Sequence, residues 1–186
     1  MTNPSIGIVR MTVAAASLGA AATLCSPVAG AAAPRSCAVL TAQIAASLLK
    51  EQTRTIVSTP LICQYGRSSE RASTTRSTIG LTIVRNPGVA AAKATQHRLE
   101  RIAPTKAPPG MTGFARGALT LPGGEATYVY YRQAGGPAVG GFVFLRIGAY
   151  TAQLTPDVRA AGGRLFTAAD LRKAAAALAA NWAKSA

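Results

Sequence analysis

Apolar positions along this chain fall into three patterns. The first is unbroken: residues 11–24 (MTVAAASLGAAATL) carry no charge. The second alternates with small or polar residues, as half-buried strands do. It marks residues 61–66 (LICQYG), 77–84 (STIGLTIV, with Ile79, Leu81 and Ile83 on one face), 125–133 (EATYVYYRQ) and 139–147 (VGGFVFLRI). The third recurs at helical spacing. It predicts a short helix over 41–50 (Ile44, Leu48 and Leu49 inward), one from Asn86-Pro87 to about residue 103 (Val89, Leu99 and Ile102 inward), and a long one over 168–184. In the last, Leu171, Ala174 or Ala175, Leu178 and Trp182 share a face.

The helix ends carry their own signals. Thr41 suits an N-cap, because its hydroxyl accepts an otherwise unpaired backbone N–H. Asn86 and Pro87 read as a cap followed by proline at the first helical position. Thr167 and Asp170 have the spacing of a capping box. Pro104, Pro108, Pro109 and Gly110 end the middle helix. Residues 52–60 read as a polar connection, 113–121 as a short strand or loop, and 149–154 as a further strand. An Arg/Ser/Thr-rich turn joins the first two strands, and Ala134-Gly-Gly-Pro137 joins the later pair. Short turns imply hairpins. The expected class is therefore α+β, an antiparallel sheet of about five strands with helices packed on one face.

The unbroken run changes the picture. It is about 14 residues long, against roughly 20 for a membrane span. Arg10 precedes it and the small residues of 26–33 (SPVAGAAA) follow, so residues 1–31 read as an export signal cut after Ala31. Residues 32–186 are then one domain of about 155 residues, enough for a single core. Cys25 leaves with the leader. Lipid attachment there, the alternative, meets bulky Leu24 where a small residue belongs. Cys37 and Cys63 remain, and an even count in an exported domain argues for a bridge. A free cysteine thiol served by His97 is the competing reading.

Lys and Arg number 20 against 6 Asp and Glu, and losing Arg10 lowers the formal charge from +14 to +13. Outside the cytoplasm, that excess points to anionic lipid head groups or envelope polymers as partners. Nucleic acid becomes the natural partner only if the chain is not exported. Arg67, Arg71, Arg76 and Arg85 form the densest basic group, a candidate anionic-surface patch. His97, Arg98, Arg101 and Lys106 form a second. Aromatic residues make up 5% of the chain, so Tyr128, Tyr130 and Tyr131, with Arg132 and Arg146 nearby, are the candidate ligand-contacting surface. Their other reading is completion of an aromatic-poor core.

No phosphate-binding loop, nucleophile elbow or dinucleotide fingerprint occurs. The six carboxylates show no catalytic pairing, His97 is the only histidine, and no CxxC or HxxxH spacing offers a metal site. No cofactor is expected. Four stretches carry a resemblance: Cys37-Ala-Val-Leu-Thr41, Cys63-Gln-Tyr65, Gly110-Met-Thr-Gly-Phe-Ala115, and the closing helix from Leu171 to Trp182. With them the chain resembles a family of small exported domains of actinobacterial envelope lipoproteins, largely of unknown function. That resemblance implies the fold and the bridge and no catalytic residue. The expectation is a non-enzymatic binding or accessory module of the cell envelope. Its alternatives are an electrostatic binder of anionic envelope polymers or membrane surface, and an inhibitor-like domain for an exported enzyme.

Overall fold

A computed structural model of the protein describes residues 35–71, 77–159 and 165–185. Residues 1–34, which include the expected leader and Cys25, and residues 72–76 of the Arg/Ser/Thr turn, which include Arg76, lie outside the described residues. In chain order the elements are α1 (Ser36–Val39), α2 (Ala42–Leu49), β1 (Thr53–Ser58), β2 (Ile62–Arg67), β3 (Thr78–Arg85), α3 (Val89–Ile102), β4 (Met111–Leu121), β5 (Gly124–Gln133), β6 (Ala138–Ile147), β7 (Tyr150–Arg159) and α4 (Ala168–Ser185). The strands form one sheet in the order β1-β2-β3-β7-β6-β5-β4. All neighbours are antiparallel.

Seven strands replace the expected five or so. The additions come chiefly from the two edges. Residues 53–58 (TRTIVS) pair with β2 on one side only, so their polar appearance is that of an edge strand. β4 is a full 11-residue strand whose alternation is weak because one margin faces solvent. β7 also runs past Pro156, where the ladder to β6 skips from Gly140↔Asp157 to Val143↔Leu154. Proline lacks the N–H such a ladder needs.

The helices cover both faces of the sheet, not one. Cys63, Leu81, Leu154, Val143 and Tyr128 form a cross-strand row on the first face. This row joins the main core with Leu40, Leu48, Leu49, Leu171, Leu178 and Trp182 from the C-cap of α1, from α2 and from α4. The neighbouring row, Ile62, Thr82, Gln153, Phe144 and Thr127, points the other way. There α3 covers Val129, Phe144 and Phe142 with Leu99 and the adjoining Ala103. The strand period of two makes this split, since β6 (AVGGFVFLRI) is apolar on both sides. Truncating a fully buried residue such as Leu154 to Ala costs about 2–5 kcal/mol. At Gly141, a Cβ would strike the Val129 carbonyl oxygen and crowd Leu171, so glycine lets α4 settle onto the sheet.

The caps on α2 and α4 form as expected. Thr41 Oγ1 accepts the Ile44 N–H at 3.4 Å. Asp170 N–H donates to Thr167 Oγ1 at 3.2 Å while Thr167 N–H donates to Asp170 Oδ2 at 2.8 Å. The start of α3 differs. Gly88 is its N-cap and makes no side-chain bond. Asn86 instead donates to the Val84 and Ala149 carbonyls and to Thr151 Oγ1, and accepts from Thr95 Oγ1. The helix docks on the face that carries Ala92 and Gln96, which are buried, while Val89 and Ile102 face solvent. The bridge forms between Cys37 and Cys63, with Cα atoms 5.1 Å apart, and ties α1 to β2.

Candidate functional site

Six carboxylates face a chain rich in cations, so how each acid is used decides what the surface presents. Five of the six are engaged inside the molecule. Glu51 and Glu70 each lie 3.6 Å from the Arg67 guanidinium. They also accept the Ser69 and Ser77 backbone N–H groups. Glu100 turns inward, accepting from Thr127 Oγ1 at 2.6 Å and Gln96 Nε2 at 2.9 Å. Glu125 meets Arg146 Nε at 2.8 Å, and that hydrogen bond holds its carboxyl below the usual range. Asp170 meets Lys50 at 2.9 Å. Burial works to raise Asp170, but Lys50 and Thr167 together keep it lowered. Asp157 is the exception. Although exposed as a residue, its carboxyl is raised by desolvation, with Arg159 opposing.

The cations divide differently. Lys50, Arg67 and Arg146 take the ion pairs. Arg54 and Arg71 aside, no other described lysine or arginine pairs with a carboxylate, and these residues are exposed. Arg116 illustrates the point, since its guanidinium bonds the Glu100 and Pro104 carbonyl oxygens and keeps its charge uncompensated. It lines an open cleft of about 540 Å³ between α3 and β4 with His97, Glu100, Arg101 and Thr105. A second cleft, about 400 Å³, lies between α2 and α4 and includes Asp170 and Lys173. Among the described residues, most of the exposed cations have no carboxylate partner.

The proposed basic patch is not one surface. Arg67 is 2% exposed and also donates to the Leu49 carbonyl from Nε and Nη2, at 3.3 Å each. It therefore serves the fold, not the solvent. Arg71 and Arg85 are exposed, and Arg76 lies outside the described residues.

The tyrosine and arginine group is likewise split by the strand. Tyr128 and Tyr130 sit on the main-core face, where the Tyr130 ring meets Phe166 edge-on at 5.8 Å. Arg132 is exposed on that side. Tyr131 lies on the α3 face against Phe142 at 6.3 Å, and Arg146 on that face is committed to Glu125. Burial raises both Tyr130 and Tyr131, which stay neutral hydroxyls. These rings complete the two cores. Gly117 is bare because the Tyr128 ring lies across it, 2.7 Å from where a Cβ would stand.

Sequence reasoning missed the polar layer between α3 and the sheet. Gln96 is fully buried, donates to Glu100 and to the Phe144 carbonyl, and leaves its Oε1 without a partner. A glutamine inside a basic helix gives no sign of that. It also missed the exposed apolar tip of the β1–β2 hairpin, whose signal was present as Pro60-Leu61-Ile62 next to a turn. Among the described residues, no group of three His, Cys, Asp or Glu could hold a metal ion. None of their helices is long and apolar enough to cross a membrane. No protein-family model matches the chain, and no curated protein matches it.

Proposed function

We propose that this protein is an exported, disulfide-stapled binding module of the cell envelope, without enzymatic activity, whose partner is anionic. One observation carries the reading. Five of six carboxylates take partners within the molecule, while most of the described lysines and arginines stand on the surface unpaired. The cationic excess of the composition is therefore carried by exposed side chains, and such a field attracts and retains polyanions. The Cys37–Cys63 bridge supports an oxidising compartment. So does the leader-like run in the first 31 residues. The resemblance to small exported envelope domains points the same way.

The test is salt dependence. Binding of the host-purified protein to soluble polyphosphate and to anionic vesicles is measured by titration from about 0.05 to about 0.5 M salt, across which the screening length shrinks severalfold. Affinity should fall at least about tenfold over that range. Binding that ignores salt contradicts the reading.

A further inference from the structure

Large apolar side chains stand exposed at only a few places among the described residues, and three of them adjoin. Leu61, Ile62 and Val84 are 45%, 44% and 49% exposed. The Ile83 N–H donates to the Leu61 carbonyl at 2.8 Å and Ile62 pairs with Thr82, so the β1–β2 tip lies beside the end of β3. Val89, also exposed, opens α3 a few residues further on. Turn tips ordinarily carry Gly, Pro, Asn, Asp or Ser. This one sets Leu61 after Pro60.

The tip is held rigidly. Thr59 N–H donates to the Ile62 carbonyl at 2.8 Å, and Ile62 N–H returns to Thr59 Oγ1 at 2.9 Å. Ser36 clamps it from α1, its N–H on the Pro60 carbonyl at 3.0 Å and its hydroxyl on the Thr59 carbonyl at 2.6 Å. The bridge to Cys63 follows directly. A tip fixed this way loses little entropy on binding.

Resting on the anionic-partner reading above, we propose that this tip is the face the protein sets against an anionic bilayer. Leu61 and Ile62 enter the head-group region, Val84 follows, and Arg35 and Arg85 meet the phosphate esters. Two observations favour a bilayer. The apolar residues are few and project from a hairpin, which suits shallow insertion; a stable protein interface needs about 800 Å² per partner. Arg35 and Arg85 are exposed at this rim, and none of the chain's six carboxylates falls within residues 35–37, 59–62 or 82–89.

The test compares host-purified protein with a variant carrying Leu61→Ser, Ile62→Thr and Val84→Thr. Vesicles of equal parts phosphatidylglycerol and phosphatidylcholine, vesicles of phosphatidylcholine alone, and soluble polyphosphate are the probes. The variant should lose about tenfold in partition onto the anionic vesicles, bind polyphosphate as before, and melt at an unchanged temperature. On the unmodified protein, anionic vesicles should slow hydrogen exchange at residues 59–62. Equal vesicle binding by both forms, or no slowing at 59–62, overturns the proposal. So does conversion of a dimer to a monomer by the substitutions, which would make the tip a contact between copies. Polyphosphate binding without vesicle binding overturns the bilayer and leaves the anionic reading standing; binding to neither probe removes both.

Discussion

Removing the Cys37–Cys63 bridge should weaken the fold without abolishing it. The bridge closes a 26-residue separation, and the loop-closure entropy returned to the unfolded chain corresponds to about 3.5 kcal/mol. The enclosed segment keeps other holds. Ile44, Ala45, Leu48 and Leu49 of α2 stay buried in the core, β1 stays paired to β2, and Ser36 still clamps the hairpin. The perturbation is Cys37→Ala with Cys63→Ala, checked against the unmodified protein under full reduction. At roughly 2–4 °C per kcal/mol for a domain of this size, the melting temperature should fall by about 7–14 °C. Urea unfolding should show a shifted midpoint and a slope close to that of the bridged form, because both forms expose nearly the same surface. Thermal and urea melts followed by circular dichroism measure both, with alkylation and mass verifying reduction. A melting temperature unchanged after verified reduction refutes the reasoning, as does complete unfolding at 25 °C.

Arg67→Ala should destabilise by about 3–5 kcal/mol, since it leaves two carboxylates and the Leu49 carbonyl facing a buried gap; chemical denaturation reads it, and a loss below about 1 kcal/mol would mean the pairs are solvated. Thr167→Ala should cost about 1 kcal/mol by removing the α4 cap, and a melt unchanged within error contradicts the cap. Glu125 and Asp170 have folded pKa values below their ordinary 4.5 and 3.8. Their stabilisation is therefore complete above those values and lost as pH falls through the lower folded ones. Asp157, raised from 3.8, acts oppositely, its penalty easing as pH falls. Glu125→Gln should therefore flatten the acid limb of a stability–pH curve below about pH 4.5; an unaltered limb contradicts the Arg146 pairing.

The elements legible in the sequence were those with a buried face and a strong local period. β2, β3, β5, β6 and the long helix α4 with its capping box all carry patterns that tertiary packing reinforces. The edge strands were not legible, because a strand paired on one side needs little apolar content; β1 reads as a polar connection for that reason. Asn86 misled in a different way. Its side chain is a good cap, yet four partners in the sheet and on α3 outbid the helix N-terminus for it. The placement of α3 on the opposite face also follows from tertiary contacts, with a buried glutamine where periodicity favoured Val89 and Ile102.

The candidate site was legible in kind and not in place. The excess of cations was plain in the composition, but proximity in sequence misassigned Arg67 and Arg146, which are the arginines the fold uses to neutralise its own acids. That commitment depends on residues 3 to 21 positions away, and no local pattern reports it. The tyrosines were similarly divided by strand alternation, Tyr128 and Tyr130 from Tyr131, once both faces proved to be covered.

The account stands or falls on where the charge works and whether the bridge is present there. Both are read by the intact mass of the protein recovered from its native host, before and after reduction and alkylation. The account predicts a chain beginning near Ala32, with Cys37 and Cys63 alkylated only after reduction. A full-length chain with freely alkylated thiols would contradict it, and would make nucleic acid the polyanion to test.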